Sequence, residues 1–357
     1  MDETTLRILD ILSRETGNPI SINELTKKIE EGYGTAYYVN IYDKTQALAE
    51  QRIVTLSKSG KSSITTLNFD NYLLVDLLAE MELKKKQDFL KGRQEMQMLF
   101  MELETYIRDL SSLRSICIIN PQKNAKLNRV ELLILIRNPS GDAIAPETDT
   151  VAIRKIMQTL QTIHNLKMDH LVLTDVMLLN LLATPEINPI REMLANKIAF
   201  FSPQAFWMII KIGQEKDIPV RILEKETNPA KMPEQDLVYN LARFGYKEMG
   251  TKIVQSKEIG IEYIITSILL QGDARRKDAV PIILAKKGNE TNYDMLVFLC
   301  QKYGVLRELF GLLKALNEIK PMAKISETIR TLKSMKIEAI KVDLKNLKEK
   351  MRLYNVT

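Results

Sequence analysis

The chain is poor in the side chains that build cross-links and metal cages: 357 residues contain two cysteines, Cys117 and Cys300, and two histidines, His164 and His170. So few ligands support neither a disulfide framework nor a zinc cluster. Each cysteine sits inside an apolar run and reads as a buried thiol, and no cofactor or metal is expected. Long apolar stretches are missing too. Residues 116–119 and 132–136 are far shorter than the roughly 20 residues of a membrane-spanning helix, and the N-terminus has no apolar secretory stretch. The expectation is a cytoplasmic protein without a membrane partner. What is present, 45% hydrophobic and 27% charged residues, is too apolar for disorder and too long for one ordinary core, so two or three domains are expected.

The net charge of +6 is unevenly placed. Between Lys320 and Arg352 stand ten Lys or Arg against four Asp or Glu, which is the whole excess, whereas residues 1–70 carry eight basic and ten acidic groups. A DNA-contacting domain at the N-terminus would therefore start without the positive field that supplies most non-specific affinity.

Residues 1–70 nevertheless have the punctuation of such a domain. Leu6, Leu9, Ile11 and Leu12 recur at near-helical spacing up to the break Gly17-Asn18-Pro19. Ser21 with Glu24 predicts a capping box ahead of the stripe Ile22, Leu25, Ile29. After Gly32-Tyr33-Gly34, residues 35–50 lack Gly and Pro, with Tyr38, Ile41, Thr45 and Leu48 on one face and Tyr37, Asn40 and Lys44 on another. Residues 52–58 and 62–67 alternate as strands about the turn Ser59-Gly60-Lys61.

This order resembles the winged helix-turn-helix domains of archaeal transcription regulators. The matching residues are Leu48 with Ile53-Val54 closing the third helix, Gly60-Lys61-Ser62 in the wing, and Leu67-Asn68 after it. The resemblance implies a third helix that enters the major groove of double-stranded DNA and a wing tip that reaches adjacent phosphates. Tyr37 and Asn40 are then candidates for base edges, and Thr35, Lys44, Lys58 and Lys61 for phosphates. The alternative is the same fold used for protein contact.

Residues 71–110, with no proline and the single glycine Gly92, read as a linker helix with room for one interruption. Residues 111–227 read as an α/β domain with a mixed sheet. Strands are expected at 115–120 and 130–136, and a helix at 152–166.

Their order resembles minimal nucleotidyltransferases; residues 168–174 look like the third strand of that fold, and Asn188-Pro189 with Leu194, then Ile198-Ala199-Phe200-Phe201, resemble its closing segment. In that family a "G-S-x-x-x-G" turn cradles triphosphate and a following "S-D-x-D" supplies metal-binding carboxylates. The corresponding segments here are Asn120-Pro121-Gln122-Lys123-Asn124-Ala125 and Asn128-Arg129-Val130-Glu131, with Asp169 at the third carboxylate position. The resemblance implies the fold, but the chemistry needs two magnesium ions held by three carboxylates. Arg129 stands at the first of these positions, and Pro121 removes a donor from the phosphate turn. The expectation is a degenerate domain, not an enzyme, with Arg129, Glu131 and Asp169 vestigial. Lys123 and Arg129 read either as a residual anion site for a nucleotide ligand or as solvated loop charges. An active nucleotidyltransferase working through Glu131 and Asp169 is the alternative, and an antitoxin-like interaction scaffold a third.

Residues 228–357 read as all-helical. Helices are expected at 237–249, 259–270, 274–286, 293–303 and 305–319, broken at Gly250, Gly272, Gly288 and Gly304. The toxin-like helical domains that partner minimal nucleotidyltransferases use an Arg and a His, and no histidine follows His170. In 325–354, Ile337, Ile340, Leu344, Leu347, Met351 and Tyr354 form a heptad seam with a lysine-rich flank. The seam predicts either a homodimer or packing on the chain's own bundle, and the flank an approach to DNA. The expected fold class is thus α+β multidomain, and the expected function DNA binding in transcription regulation.

Overall fold

Asp2 starts the first element: its carboxylate accepts from Thr5 N at 3.0 Å and caps helix α1 (Glu3–Arg14). In the computed structural model the described residues are 1–125, 128–138, 145–222, 227–248 and 250–356, with backbone alone for 145–148, 274 and 275. The fold is α+β. Its contacts divide the chain into two units, Met1–Thr184 with Ile190–Lys225, and Pro185–Pro189 with Glu226–Thr357.

The first unit continues with β1 (Ile20–Ser21), α2 (Ile22–Tyr33), α3 (Tyr38–Glu50), β2 (Val54–Ser59) and β3 (Ser62–Leu67). Ser21 caps α2 through Glu24 N at 3.2 Å, and Ile22, Leu25 and Ile29 are its buried stripe. The hairpin closes with Ser59 opposite Ser62 around Gly60, whose φ of +61° suits the turn. A strand not anticipated from sequence, β1, pairs antiparallel with β3 and gives a sheet ordered β1-β3-β2.

α4 (Leu73–Leu90) and α5 (Gln94–Ile107) are separated at Gly92, where φ is +73°. α4 buries Leu74, Val75, Leu78, Met81 and Phe89 and packs against α1. There follow β4 (Leu113–Ile119), α6 (Pro121–Ala125), β5 (Arg129–Ile136), α7 (Ala145–His164), β6 (Lys167–Thr174), α8 (Asp175–Ala183), α9 (Pro189–Ala195), β7 (Lys197–Phe201) and α10 (Pro203–Glu215). The sheet is mixed, ordered β6-β5-β4-β7, with β5 and β6 parallel and both β4 pairings antiparallel. The period of two along each strand sorts its faces. Ile116, Ile118, Val130, Leu132, Ile134, Met168, Ile198 and Phe200 join one core with residues of α5 and α7. Residues 117, 119, 131, 133, 169 and 197 therefore share the opposite face, and both α10 and α8 lie against the sheet's strands. α4 and α10 both touch β7.

The first helix is also tied to the chain after α10. Ile222 N donates to Thr16 O, and Asn18 Nδ2 to Ile222 O, each at 2.9 Å. A Cβ on Gly17 would come within 2.0 Å of the Val220 carbonyl oxygen, so only glycine permits this approach.

The second unit is helical: a 3-10 turn at Pro229–Lys231, then α11 (Glu234–Arg243), α12 (Ile261–Gln271), α13 (Ala274–Lys277), α14 (Ala279–Lys287), α15 (Tyr293–Tyr303), α16 (Leu306–Ile319), α17 (Ala323–Ser334) and α18 (Leu344–Leu353). α11 ends at Arg243, before Gly245 with φ +90°, not at the expected 249; Met249 lies outside the described residues. Its neighbours 250–258 are not helical, and Ile259 forms a parallel bridge to Ile187.

The expected seam over 325–354 is corrected. The chain leaves the helix after Ser334 and regains it at Leu344, so Ile337 and Ile340 are not on a helix with Leu347 and Met351. Ile340 instead lies on Gly311, where an added Cβ would meet it at 2.6 Å. Leu347 and Met351 are fully buried in their own unit, and Tyr354 stacks on Tyr246 with centroids 4.9 Å apart. No helix among the described residues is long and apolar enough to cross a membrane.

Candidate nucleic-acid interface and the charged face of the sheet

α3 packs inward through Ile41, Thr45 and Leu48 against α1, α2 and β2. Its first turn is uncovered: Tyr37 is 66% and Val39 64% exposed, and Asn40 is exposed beside them. The helix begins at Tyr38, so Thr35 and Tyr37 belong to the turn before it, both exposed. Further along, the outward positions include the exposed Asp43 and Glu50.

Lys44, expected at a phosphate, is engaged within the protein. Its Nζ lies 2.6 Å from Asp2 Oδ2, and its charge is already balanced. Desolvation works to raise the Asp2 carboxyl, but Lys44 and the two Thr5 donors outweigh it and hold the group well below the usual range. Four other cations of this segment are likewise matched: Arg7 with Glu3, Arg14 with Asp10, Lys27 with Glu31 and Lys28 with Glu15. Arg52, Lys58 and Lys61 have no carboxylate partner among the described residues, and all three are exposed, at the entry and tip of the β2–β3 hairpin.

Arg129, Glu131 and Asp169 come together. Parallel pairing sets Glu131 opposite Asp169 and Arg129 opposite Lys167. Alternation then aims Arg129, Glu131 and Asp169 to one face. The Arg129 guanidinium is ion-paired to Asp169 Oδ2 and lies 3.4 Å from Glu131 Oε1. Glu131 is 1% exposed and Asp169 not at all. Burial pushes the Asp169 carboxyl up against the pull of Arg129. The place between the carboxylates that a divalent ion would need is taken by a guanidinium, so this set does not fit a two-metal cage. Among the described residues no group of three or more His, Cys, Asp or Glu side chains converges on a metal position.

The turn before β5 is equally unlike a phosphate cradle. Asn120, at φ +46°, has its N–H committed to Asn196 O at 2.7 Å. Pro121 has none, and the buried Asn124 amide donates to Ile119 O at 2.8 Å. Lys123 is exposed on α6, whereas Arg129 turns to the carboxylates.

The same row of the sheet continues to a second charged pair that the sequence reading missed. Ile119 stands opposite both Glu131 on β5 and Lys197 on β7. Lys197 Nζ is paired with Glu82 of α4 and lies 4.4 Å from the ring centroids of both Phe206 and Trp207. Glu82 also accepts from Ala199 N at 2.8 Å and lies 4.0 Å from Lys85, whose Nζ is 2.8 Å from Asp10 of α1. Burial opposes the ionisation of Glu82, yet Lys197 and Lys85 keep its carboxyl below the ordinary range. Asp10, buried between Lys85 and Arg14 and accepting from the Tyr33 hydroxyl, is held low in the same way. The only sequence signal was a lysine heading an apolar strand. Cys117 and Cys300 are buried thiols, each pushed up to about 12 by desolvation. His164 faces Glu102 at 3.0 Å, and burial lowers His170 to about 4.

Compared with family models, curated proteins and solved structures, the chain matches none.

Proposed function

We propose that residues 1–70 form a winged helix that docks on double-stranded DNA, and that the domain behind it is a nucleotidyltransferase-like fold without catalysis, serving assembly or ligand sensing in a transcription regulator. The observation that carries the first part is the charge inventory: the cations of this segment left unneutralised, Arg52, Lys58 and Lys61, all belong to the hairpin and its entry. The uncovered first turn of α3, with Tyr37 and Asn40, supplies side chains of the kind that read base edges, and N-terminal residues of a recognition helix are the ones that do so. Arg129 between Glu131 and Asp169 supports the second part, since a fixed organic cation replaces the ion that nucleotidyl transfer requires.

The test is the salt dependence of binding to duplex DNA by the full chain. Arg52→Gln, Lys58→Gln and Lys61→Gln combined should make the log–log slope shallower by about 2.7, the share of three phosphate contacts. A slope equal to the parent's removes the wing from the interface. Incorporation of labelled nucleotide that depends on magnesium and is lost in Glu131→Ala would replace the second part with an active transferase. A protein-contact reading has one observation in its favour: Tyr37, Tyr38 and Val39 are exposed together, with Asp43 and Glu50 on the same helix. Retention of a protein partner by a chain that does not shift duplex DNA would favour it.

A further inference from the structure

The positive excess of the chain is confined to 320–352, and the fold leaves it unspent. Of its ten cations, Lys350 is paired, with Asp278, and Lys324 donates to Asn289 O at 3.0 Å; no other has a carboxylate partner among the described residues. Two of the four acids are engaged elsewhere. Glu338 lies 3.5 Å from Arg307, and Asp343 caps α18 through Lys345 N at 3.0 Å and Asn346 N at 3.2 Å.

α18 presents part of this charge in a defined direction. Leu347 and Met351 face the bundle, and the helix is pinned by Lys350 on Asp278 and by the Tyr354 hydroxyl donating to Lys247 O at 2.6 Å. Lys345, Lys348 and Arg352, spaced by three and four, lie together on the solvent side of the helix, with Glu349 the one acid beside them, and all four are exposed. Over seven residues they span about 10 Å of helix axis, a length over which each strand of a duplex offers about three phosphates at 3.4 Å axial spacing.

We propose that the outward face of α18 is a second contact for duplex DNA, made to the phosphate backbone without base reading and independent of the wing. A lipid surface fits less well, because an interfacial helix lays an apolar face into the bilayer and that face of α18 is buried. Single strands are held by stacking on aromatic rings, and Tyr354 is already stacked on Tyr246. A protein interface is centred on apolar or aromatic residues and depleted in lysine, and α18 exposes only Leu353 of that kind.

The experiment measures binding of the full chain to a duplex of about 30 base pairs of arbitrary sequence, by fluorescence anisotropy between about 50 and 200 mM KCl. Lys345→Gln, Lys348→Gln and Arg352→Gln combined should lower the log–log slope by about 2.7, so that over this range the parent loses about 40-fold more affinity than the variant. Lys231→Gln, Lys252→Gln and Lys257→Gln, which remove the same charge from exposed sites of the same unit, should leave the slope near the parent's. Restoring positive charge as Lys345→Arg, Lys348→Arg with Arg352 intact should return the parental slope in a chain of unchanged melting temperature. Four results overturn the proposal: an unaltered slope in the stripe variant, an equal loss in the control, tighter binding of duplex RNA than of DNA, or stripe-dependent binding to vesicles with about 30% phosphatidylserine that exceeds DNA binding. A wing variant with an unaltered slope beside a stripe variant with a lowered one would reject the wing and keep this surface.

Discussion

Arg129 reaches from the first position of β5 to the carboxylate of Asp169 on the parallel neighbour β6, two residue-pairs further along the register. It is ion-paired to one buried carboxylate of this row and lies within 3.4 Å of the other. Removing one partner of a buried pair leaves the other charge uncompensated, which costs far more than the pair contributes.

Arg129→Ala should therefore destabilise the first unit by about 3–5 kcal/mol. Arg129→Met combined with Glu131→Leu and Asp169→Leu should recover most of it, because an apolar set removes the desolvated charges together. Urea denaturation checks both, and a triple variant no more stable than the single one would contradict the account.

Glu82 and Lys197, 115 residues apart, should be strongly coupled. Lys197→Met and Glu82→Gln are each expected to cost a few kcal/mol, and the double variant at least about 2 kcal/mol less than their sum. Additive losses would mean that the two side chains act separately.

In the second unit, burial and the nearby Glu186 raise the Glu262 carboxyl from 4.5 to about 7, against the pull of the Asn292 N–H at 2.7 Å. The folded state thus holds this proton more tightly than the unfolded one. The stability it confers is complete below about pH 4.5 and is lost as pH rises toward 7, by about 3 kcal/mol. Glu262→Gln should flatten that decline and be the more stable protein at pH 8, as followed by melting temperature across the range.

Asn40→Ala should reduce discrimination between duplex sequences by about 1–3 kcal/mol and leave the salt slope unchanged. A uniform loss across sequences, with a shallower slope, would assign Asn40 to a phosphate.

Met351→Ala, at a fully buried position, should cost about 2–5 kcal/mol of stability. Its mass by sedimentation should match the parent's over a wide concentration range. A change in mass without loss of stability would return the residue to an intermolecular seam.

The elements were largely legible because their signals are local. Ser21 and Glu24 marked the start of α2, Gly60 the hairpin, Gly92 the break between α4 and α5, and the branched runs the strands β4 and β5. β1 was not, since two residues carry no periodicity and are a strand only because β3 pairs with them. The seam over 325–354 failed for the converse reason. Spacing of three and four alone describes a continuous helix, but Gly311 offers Ile340 a place that the helical path would forfeit.

For the candidate sites the division is similar. That Arg129 and Glu131 share a face follows from two-residue alternation, and that the hairpin tip carries Lys58 and Lys61 follows from the turn. The tertiary structure decided which charges remain free. Asp2 neutralises Lys44, Asp169 and Glu131 enclose Arg129, and Glu82 meets Lys197 across the sheet. An ion pair needs only two groups brought close after burial, so the intervening chain keeps no pattern of it. Local hydrogen bonding and apolar periodicity are written residue by residue, whereas electrostatic partners are chosen by packing.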